Sequence, residues 1–278
     1  MFLKKIYIIT FFLLLFQITS CSGDKMKETK DVSEGLNNIP LSKWNHLAQK
    51  KIYFGHQSVG YNILDGINDL MQENKKIKLN IVETSDNQVF RHGVLAHSKI
   101  GSNTDPLSKI NAFEVLMDNG IGGLVDIAFY KFCYVDIDTQ TDIKEVFHAY
   151  RESMQRLKQK YPHVTFIHVT VPLGTSVTTW KTLIKKIMGS DSIWEYDSNI
   201  RKNEYNDLMR KEYSGKDPIF DLAEVESTYP DGRRATFFKA GRKYYCLAPE
   251  YTSDDGHLNE IGRKRVAEKL ILLLVSPL

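Results

Sequence analysis

Residues 54–67, FGHQSVGYNILDGI, contain the turn that decides the fold. They follow the apolar residues Ile52 and Tyr53 and lead into a helical apolar pattern, so they predict a strand that turns into a helix. Small residues at such a turn let the backbone bend sharply and approach a ligand closely. Ser58 at this turn is either a helix N-cap or a nucleophile whose oxyanion meets the free N–H groups of the helix. The stretch alone leaves both roles open.

Strand and helix patterns alternate through the rest of the chain. The predicted strands are residues 52–54, 77–84, 124–129, 164–171 and 219–222. The predicted helices are residues 60–71, 107–119, 143–161, 200–213 and 258–275, and residues 85–106 are predicted as a long irregular segment. This alternation predicts a three-layer α/β/α sandwich with a mostly parallel, flavodoxin-like sheet of about five strands. Ligands of such sheets bind beyond the carboxyl ends of the strands, which is where Ser58 is placed.

The N-terminal residues predict an export signal. Lys4 and Lys5 precede an apolar run at residues 6–16, and small residues lead to Cys21. With cysteine at the cleavage point, residues 1–21 resemble a bacterial lipoprotein signal, whose cysteine becomes lipidated. The alternative is a plain signal peptide in which Cys21 is incidental. We therefore expect the chain in the bacterial cell envelope, periplasmic or at the cell surface, attached to the membrane through a lipid anchor only.

Composition divides the remaining residues into a tether and one domain. Residues 22–40 are polar, charged and poor in aromatic side chains, which is typical of a flexible tether. Residues 41–278 are long enough for one α/β domain with a substantial core. The sequence has 37 Lys and Arg against 34 Asp and Glu, and two of the lysines belong to the signal, so the mature chain is nearly neutral. No basic face is indicated, so we expect no nucleic-acid partner. We also expect a monomer.

Cysteine and histidine patterns do not predict a metal site. The cysteines are Cys21, Cys133 and Cys246, too few for a disulfide framework. Cys133 and Cys246 could pair in an oxidising compartment, but Cys133 lies in an apolar run, which favours a buried free thiol. Three histidines on separate elements lack the short spacing of metal ligands: His92, His97 and His168. We expect no metal and no cofactor.

A base and an acid that could orient it are found near the C-terminus. Asp254 and His257 are three residues apart, just before the last predicted helix. A loop with this spacing can present the imidazole to a serine while the carboxylate holds the other ring nitrogen. The neighbouring Asp255 is interpreted as a carboxylate that favours the positive end of the helix. Ser58, Asp254 and His257 are therefore the candidate catalytic residues.

The segment that contains Asp254 and His257 resembles a conserved sequence block of the SGNH (GDSL-type) hydrolase superfamily. It is Asp-x-x-His followed by Leu258, Asn259 and Gly262. The resemblance covers most of residues 50–275 in block order and implies that Ser58 is the nucleophile, although Gly-His-Gln-Ser stands where the family has Gly-Asp-Ser. It implies a serine esterase with a Ser-His-Asp triad.

The resemblance also implies an oxyanion hole. The family supplies it from the nucleophile backbone, from a glycine after the second strand and from a Gly-x-Asn-Asp block after the third. Ser58 and Gly101 match the first two. The third block is missing, so either Asn103 or Lys131 donates in its place, or the hole is weaker.

Three further residues are candidate substrate contacts. His56 is either a surface histidine or a contact with the substrate or a catalytic group. Lys131 either pairs with Asp136 or Asp126 or points at the rim of the site. Tyr134 follows in the same segment.

Aromatic and polar insertions suggest the substrate class. Residues 229–251 are rich in Arg and Tyr and are either a substrate lid or a surface excursion, and Trp180 and Trp194 flank another insertion. We expect a small-molecule or glycan ester, and specifically the hydrolysis of a carbohydrate O-acetyl ester. The alternatives are an SGNH-like O-acetyltransferase and a non-catalytic carbohydrate-binding domain.

Overall fold

The computed structural model describes residues 35–176 and 194–277. The predicted signal peptide with Cys21, most of the predicted tether and Trp180 lie outside these residues. Leu36, in the segment predicted as a tether, is buried in the core. The end of that segment therefore packs on the domain. Among the described residues, no helix has both the length and the apolar character needed to cross a bilayer.

Within the described residues, six parallel strands form the central sheet. They are β1 (Lys51–His56), β2 (Ile81–Glu83), β3 (Val94–Lys99), β4 (Ile127–Tyr130), β5 (Thr165–Val169) and β6 (Ile219–Phe220). Their order across the sheet is β2-β3-β1-β4-β5-β6. The carboxyl end of β1 is therefore flanked by those of β3 and β4. A separate antiparallel hairpin consists of β7 (Thr236–Lys239) and β8 (Arg242–Tyr245).

Helices cover both faces of the sheet. They are α1 (Leu41–Gln49), α2 (Val59–Glu73), α3 (Pro106–Asp118), α4 (Ile143–Lys160), α5 (Trp194–Tyr213), α6 (Leu222–Ser227) and α7 (Glu260–Val275). α2 and α7 pack together over one face, and α3, α4 and α5 lie over the other. Successive residues of β1 lie on opposite faces of the sheet. Tyr53 belongs to the core formed with α3 and α4, and Phe54 belongs to the core formed with α2 and α7. The predicted three-layer sandwich is confirmed, with six strands.

The segment predicted as irregular contains a central strand. β3 lies within residues 85–106 and pairs with β1 along its whole length. Of the strand predicted at residues 77–84, only the three-residue β2 forms, at the edge of the sheet. The irregular assignment was wrong because His97 and Ser98 interrupt the apolar pattern of β3.

Three asparagines of α5 hold distant backbone segments against the helix. Each side-chain amide accepts the N–H and donates to the C=O of one residue, with N···O distances from 2.7 to 3.1 Å. The pairs are Asn199 with Gly174, Asn203 with Tyr245, and Asn206 with Val171. This two-point pairing resembles that of a strand partner, and it ties α5 to the segment after β5 and to the end of β8.

Replacing Asn206 by aspartate is expected to lower the free energy of unfolding by about 1–3 kcal/mol. Oδ1 would still accept the Val171 N–H, but the amide donor to the Val171 carbonyl would become an acceptor in a site with no exposed surface. Urea unfolding measures the loss. Asn111→Asp makes the same chemical change on the exposed surface of α3 and should stay within about 0.5 kcal/mol of wild type. Equal effects at the two positions would contradict the role of the buried amide.

Candidate active site

Ser58 stands at the turn from β1 to α2. Its φ and ψ are 50° and −109°, a conformation that is costly for a residue other than glycine and that is concentrated at functional sites. Ser58 occupies the N-cap position of α2, yet its side chain makes no capping hydrogen bond. Its Oγ lies 2.5 Å from Nε2 of His257 instead. Of the two roles left open by the sequence, the geometry favours the one in which the hydroxyl meets a base.

Asp254 holds the opposite ring nitrogen of His257. Its Oδ2 lies 2.7 Å from His257 Nδ1, and its Oδ1 accepts the backbone N–H groups of His257 and Gly256. Burial acts to raise the pKa of Asp254, but the hydrogen bonds from His257 and Gly256 outweigh it and hold the pKa below its ordinary value. An ionised Asp254 favours the tautomer with hydrogen on Nδ1, which leaves Nε2 free to accept a proton from Ser58. The structure thus brings the three candidate catalytic residues together.

The loop that carries the acid and the base is fastened from two sides. Asn62, one turn after Ser58 on α2, accepts the Leu258 N–H with its Oδ1 at 3.2 Å. Thr175 donates its N–H to the Asp255 carbonyl at 3.0 Å and its hydroxyl to Asp255 Oδ1 at 2.8 Å. The carboxylate of Asp255 therefore serves to anchor the loop. These contacts hold the imidazole over the start of α2.

Two backbone N–H groups beside the nucleophile turn are unpaired. Among the described residues, neither Ser58 nor Gly101 donates its N–H to a protein acceptor. Gly101 follows β3 with a φ of +52°, and a Cβ there would lie 2.6 Å from Lys109 N, so this position requires glycine. Gln57 fastens the two segments, because its Nε2 donates to the carbonyls of Ile100, at 3.0 Å, and Gly101. Free N–H groups held in this way can receive an oxyanion.

Asn103 lies on the exposed loop that follows Gly101. Its Oδ1 accepts a hydrogen bond from Lys109 Nζ at 3.0 Å. Lys109 is buried and pairs with Asp136 at 2.5 Å. One of the interpretations of the sequence paired Asp136 with Lys131. The structure pairs it with Lys109 instead.

His56 and Lys131 are buried beneath the nucleophile turn. Neither side chain has exposed surface. His56 Nε2 lies 3.0 Å from His97 Nδ1, and Lys131 Nζ donates to the Phe132 carbonyl at 3.1 Å. Burial lowers the pKa of Lys131. The structure does not place these side chains at a rim or at the surface, and it leaves neither of them able to touch a substrate directly.

Tyr134 lies beside the imidazole. Its ring is edge-on to that of His257, with centroids 5.7 Å apart. A Cβ on Gly256 would lie 2.5 Å from this ring, so the loop packs closely against it. The Lys202 ammonium is 5.7 Å from the Tyr134 ring centroid, and burial lowers the pKa of Lys202 to about 8. Of the three predicted substrate contacts, Tyr134 is the half-buried one next to the base.

Lowering the pH below about 6 is expected to destabilise the fold through His56. Burial, reinforced by the charge of Lys131, lowers the pKa of His56 from 6.5 to about 2. Between these values the unfolded chain binds a proton that the folded chain does not. His56 therefore leaves the free energy of unfolding unchanged above about pH 6.5. Below that pH, this one group lowers the free energy of unfolding by about 1.4 kcal/mol for each pH unit. Urea unfolding at pH 7 and pH 5 measures this loss.

The variant His56→Gln removes the titrating group and should weaken the dependence on pH. His92→Gln, at an exposed position, is the matched control and should keep the wild-type dependence. If wild type and His56→Gln lose the same stability between pH 7 and pH 5, His56 is not responsible.

The remaining predicted features are placed as follows. Cys133 and Cys246 are both buried and free, which confirms the buried thiol predicted for Cys133. Residues 229–251 contain the β7–β8 hairpin, and Trp194 begins α5. In the part of the chain that the structure describes, no three His, Cys, Asp or Glu side chains are grouped closely enough to hold a metal ion.

Four residues that hold the site together were not singled out from the sequence: Gln57, Asn62, Lys109 and Thr175. The spacing of Asn62 from Ser58 was an available signal, because residues i and i+4 share one face of a helix. The others gave no local signal, since the partners of Lys109 and Thr175 are 27 and 80 residues away.

Comparison with known proteins gives no sequence relative and several similar folds. No protein-family model matches the chain, and no curated protein matches it. A solved structure described provisionally as a platelet activating factor from Streptococcus pneumonia is 16% identical, covers 84% of this chain and 90% of its own, and has a TM-score of 0.49.

Two further structures are more distant. One is described provisionally as a lipolytic protein of the G-D-S-L family from Desulfitobacterium hafniense DCB-2, with 11% identity, coverage of 81% and 99%, and a TM-score of 0.42. The other is the periplasmic domain of a lipopolysaccharide acetyltransferase from Salmonella ser. Paratyphi A, with 12% identity, coverage of 87% and 96%, and a TM-score of 0.41. These likenesses concern the fold alone.

Proposed function

We propose that this chain is a serine esterase of the SGNH hydrolase type that removes acetyl groups from a carbohydrate. The observation that carries the proposal is the hydrogen-bonded series from Asp254 through His257 to Ser58, which ends at the first turn of α2. This series contains a nucleophile, a base and an orienting acid, in the geometry that acyl transfer requires.

The reaction proceeds in two steps. Ser58 Oγ attacks the ester carbonyl carbon while His257 Nε2 takes the hydroxyl proton. The tetrahedral intermediate then breaks its bond to the sugar oxygen, which receives the proton from His257, and an acetyl group remains on Ser58. A water molecule then gives a proton to the neutral His257 as its oxygen attacks the acyl carbon. The bond from this carbon to Ser58 Oγ breaks, His257 returns the proton to Oγ, and acetate is released. Asp254 stabilises the imidazolium in both steps.

The oxyanion formed in each step is received by donors near the turn. The free N–H groups of Ser58 and Gly101 and the amide of Asn103 are the proposed donors, and the N-terminus of α2 adds its positive dipole end. Loss of one such donor typically costs about 3 kcal/mol of transition-state stabilisation.

The exposure of the site supports a small acyl group on a large alcohol. The side chains of Asp254 and His257 are 56% and 41% exposed. A long acyl chain needs an extended apolar groove, whereas an acetyl group needs only a shallow recess that a bulky glycan can approach. The export signal predicted for residues 1–21 is in keeping with a polymeric substrate outside the cytoplasm, and we include a lipid anchor at Cys21 in the proposal.

A chain-length series of p-nitrophenyl esters tests the substrate class. We expect kcat/KM to be highest for the acetate and to fall about tenfold or more by the octanoate, because a long acyl chain needs an extended apolar groove and the acid and base of the described site are exposed. Release of acetate from an O-acetylated polysaccharide should accompany it. A maximum of kcat/KM at long acyl chains, with no turnover of acetyl esters, would overturn the proposal of a carbohydrate O-acetyl ester as substrate.

The same assay separates the alternative roles. With a sugar acceptor present, transfer of the acetyl group in excess of hydrolysis would identify an O-acetyltransferase. Glycan binding without turnover of any ester would identify a binding domain.

A further inference from the structure

A buried ion pair lies directly behind the Asn103 loop. Lys109, on α3, and Asp136, in the segment after β4, have no exposed side-chain surface and are 2.5 Å apart. Both charged groups are shielded from water. Such a pair is weak support for stability alone, because the cost of desolvation offsets most of the attraction. Its contacts suggest a different role.

Asp136 joins two loops at the site. Its Oδ1 accepts the Thr104 N–H at 2.9 Å, and its Oδ2 accepts the Cys133 N–H at 2.6 Å as well as the Lys109 ammonium. Cys133 in turn contacts the Gln57 carbonyl through its Sγ at 3.7 Å. The segment that holds Asn103 is therefore fixed to the segment beneath Ser58.

Lys109 also fixes the direction of the Asn103 amide. An ammonium group has three donors and no acceptor, so only the oxygen end of the amide can face it. With Oδ1 bound to Lys109 Nζ, the NH₂ end of Asn103 must face the other way, and among the described residues it has no protein acceptor. Without this contact, an asparagine on an exposed loop could present either end, and only one of them can donate to an oxyanion.

We propose that Lys109, held by Asp136, is a positioning residue that orients the Asn103 amide as an oxyanion donor. The inference rests on the proposed esterase function. It explains how the chain manages without the Gly-x-Asn-Asp block, since a buried lysine from α3 fixes an asparagine that stands on a different loop.

Two pairs of variants that differ in one property test the proposal. Lys109→Met with Asp136→Asn removes both charges and the donor to Asn103. Lys109→Gln with Asp136→Asn removes the same charges but keeps a donor, on a side chain about as long as that of methionine. Asp136→Asn is common to both pairs and itself removes an acceptor from the loop contacts of Asp136, so the two pairs are compared with each other. We expect kcat of the Met pair to lie about tenfold or more below that of the Gln pair, with KM values within about twofold.

A double-mutant cycle shows whether Lys109 acts through Asn103. Asn103→Ala alone should lower kcat about a hundredfold, and in the Asn103→Ala background the Met and Gln pairs should differ in kcat by less than about twofold. Equal kcat values in the Met and Gln pairs, or the same difference of about tenfold between them in the Asn103→Ala background, would overturn the proposal. If the Met pair does not fold by circular dichroism, Lys109→Leu with Asp136→Asn, which also lacks the donor, replaces it in both comparisons, and the same outcomes decide.

Labelling of Ser58 by a fluorophosphonate separates the two levels of failure. If wild type is neither labelled nor active on esters, the proposed function and this inference fall together. If wild type is labelled and active but the cycle is additive, only the role of Lys109 falls.

Discussion

Replacing Ser58 by alanine is expected to lower kcat/KM for p-nitrophenyl acetate at least about a thousandfold. The hydroxyl that lies 2.5 Å from His257 Nε2 is the proposed nucleophile, and no acyl-enzyme can form without it. The residual rate would come from His257 activating water and from the remaining oxyanion donors. Initial rates on the acetate ester and intact-mass analysis after fluorophosphonate treatment measure the two consequences independently.

A serine outside the site provides the control for this substitution. Ser85→Ala changes the same group at an exposed position and should keep the wild-type rate and the label. Because Ser58 makes no capping bond, Ser58→Ala should also keep the thermal stability of wild type. An active Ser58→Ala enzyme, or one that still takes the label at this position, would eliminate Ser58 as the nucleophile.

Asp254→Asn is expected to lower kcat about a thousandfold while leaving the loop in place. Asparagine keeps Oδ1, which accepts the N–H groups of His257 and Gly256. Its NH₂ group would replace Oδ2 opposite His257 Nδ1, and two donors cannot share a hydrogen bond. The imidazole would therefore adopt the tautomer with hydrogen on Nε2, which cannot accept the proton of Ser58.

Steady-state kinetics on the acetate ester should show this loss in kcat with little change in KM. Asp255→Asn is the neighbouring comparison, because its Oδ1 can still accept the Thr175 hydroxyl and it does not contact the imidazole; kcat should stay within about threefold of wild type. A loss of less than tenfold in Asp254→Asn would mean that Asp254 does not set the tautomer.

The layered fold was predictable because parallel strands buried on both faces are short apolar runs. β4 and β5 fit this description, and one amphipathic helix, α4, lies between them in the chain. β3 was not predicted as a strand, because its polar side chains have hydrogen-bond partners on a distant segment of the chain. Ser98 Oγ bonds the Tyr53 hydroxyl at 2.7 Å, and His97 bonds His56. A pattern of apolar residues contains no information on such partners.

The candidate site shows the same limit. Asp254 and His257 could be found because three residues separate them. His257 is 199 residues from Ser58, and the two were connected by the base and acid that a serine nucleophile requires and by the family resemblance. Lys109 and Lys131 gave no sign of their burial, because a lysine is ordinarily exposed. For Lys109, it is the carboxylate of Asp136, on another segment, that makes burial tolerable.

The asparagine pairs of α5 have a consequence for how the molecule opens. Val171 and Gly174 are far along the chain from Tyr245, but the N–H group of each of the three is bonded to an asparagine side chain of one helix. We therefore expect their exchange with solvent hydrogen to depend on one event, the detachment of α5, so that the three groups exchange together as one cooperative unit. Thr175, which anchors the loop of the base, belongs to the same segment. Catalytic order at the centre of the sheet is thus linked to the docking of a helix at its side.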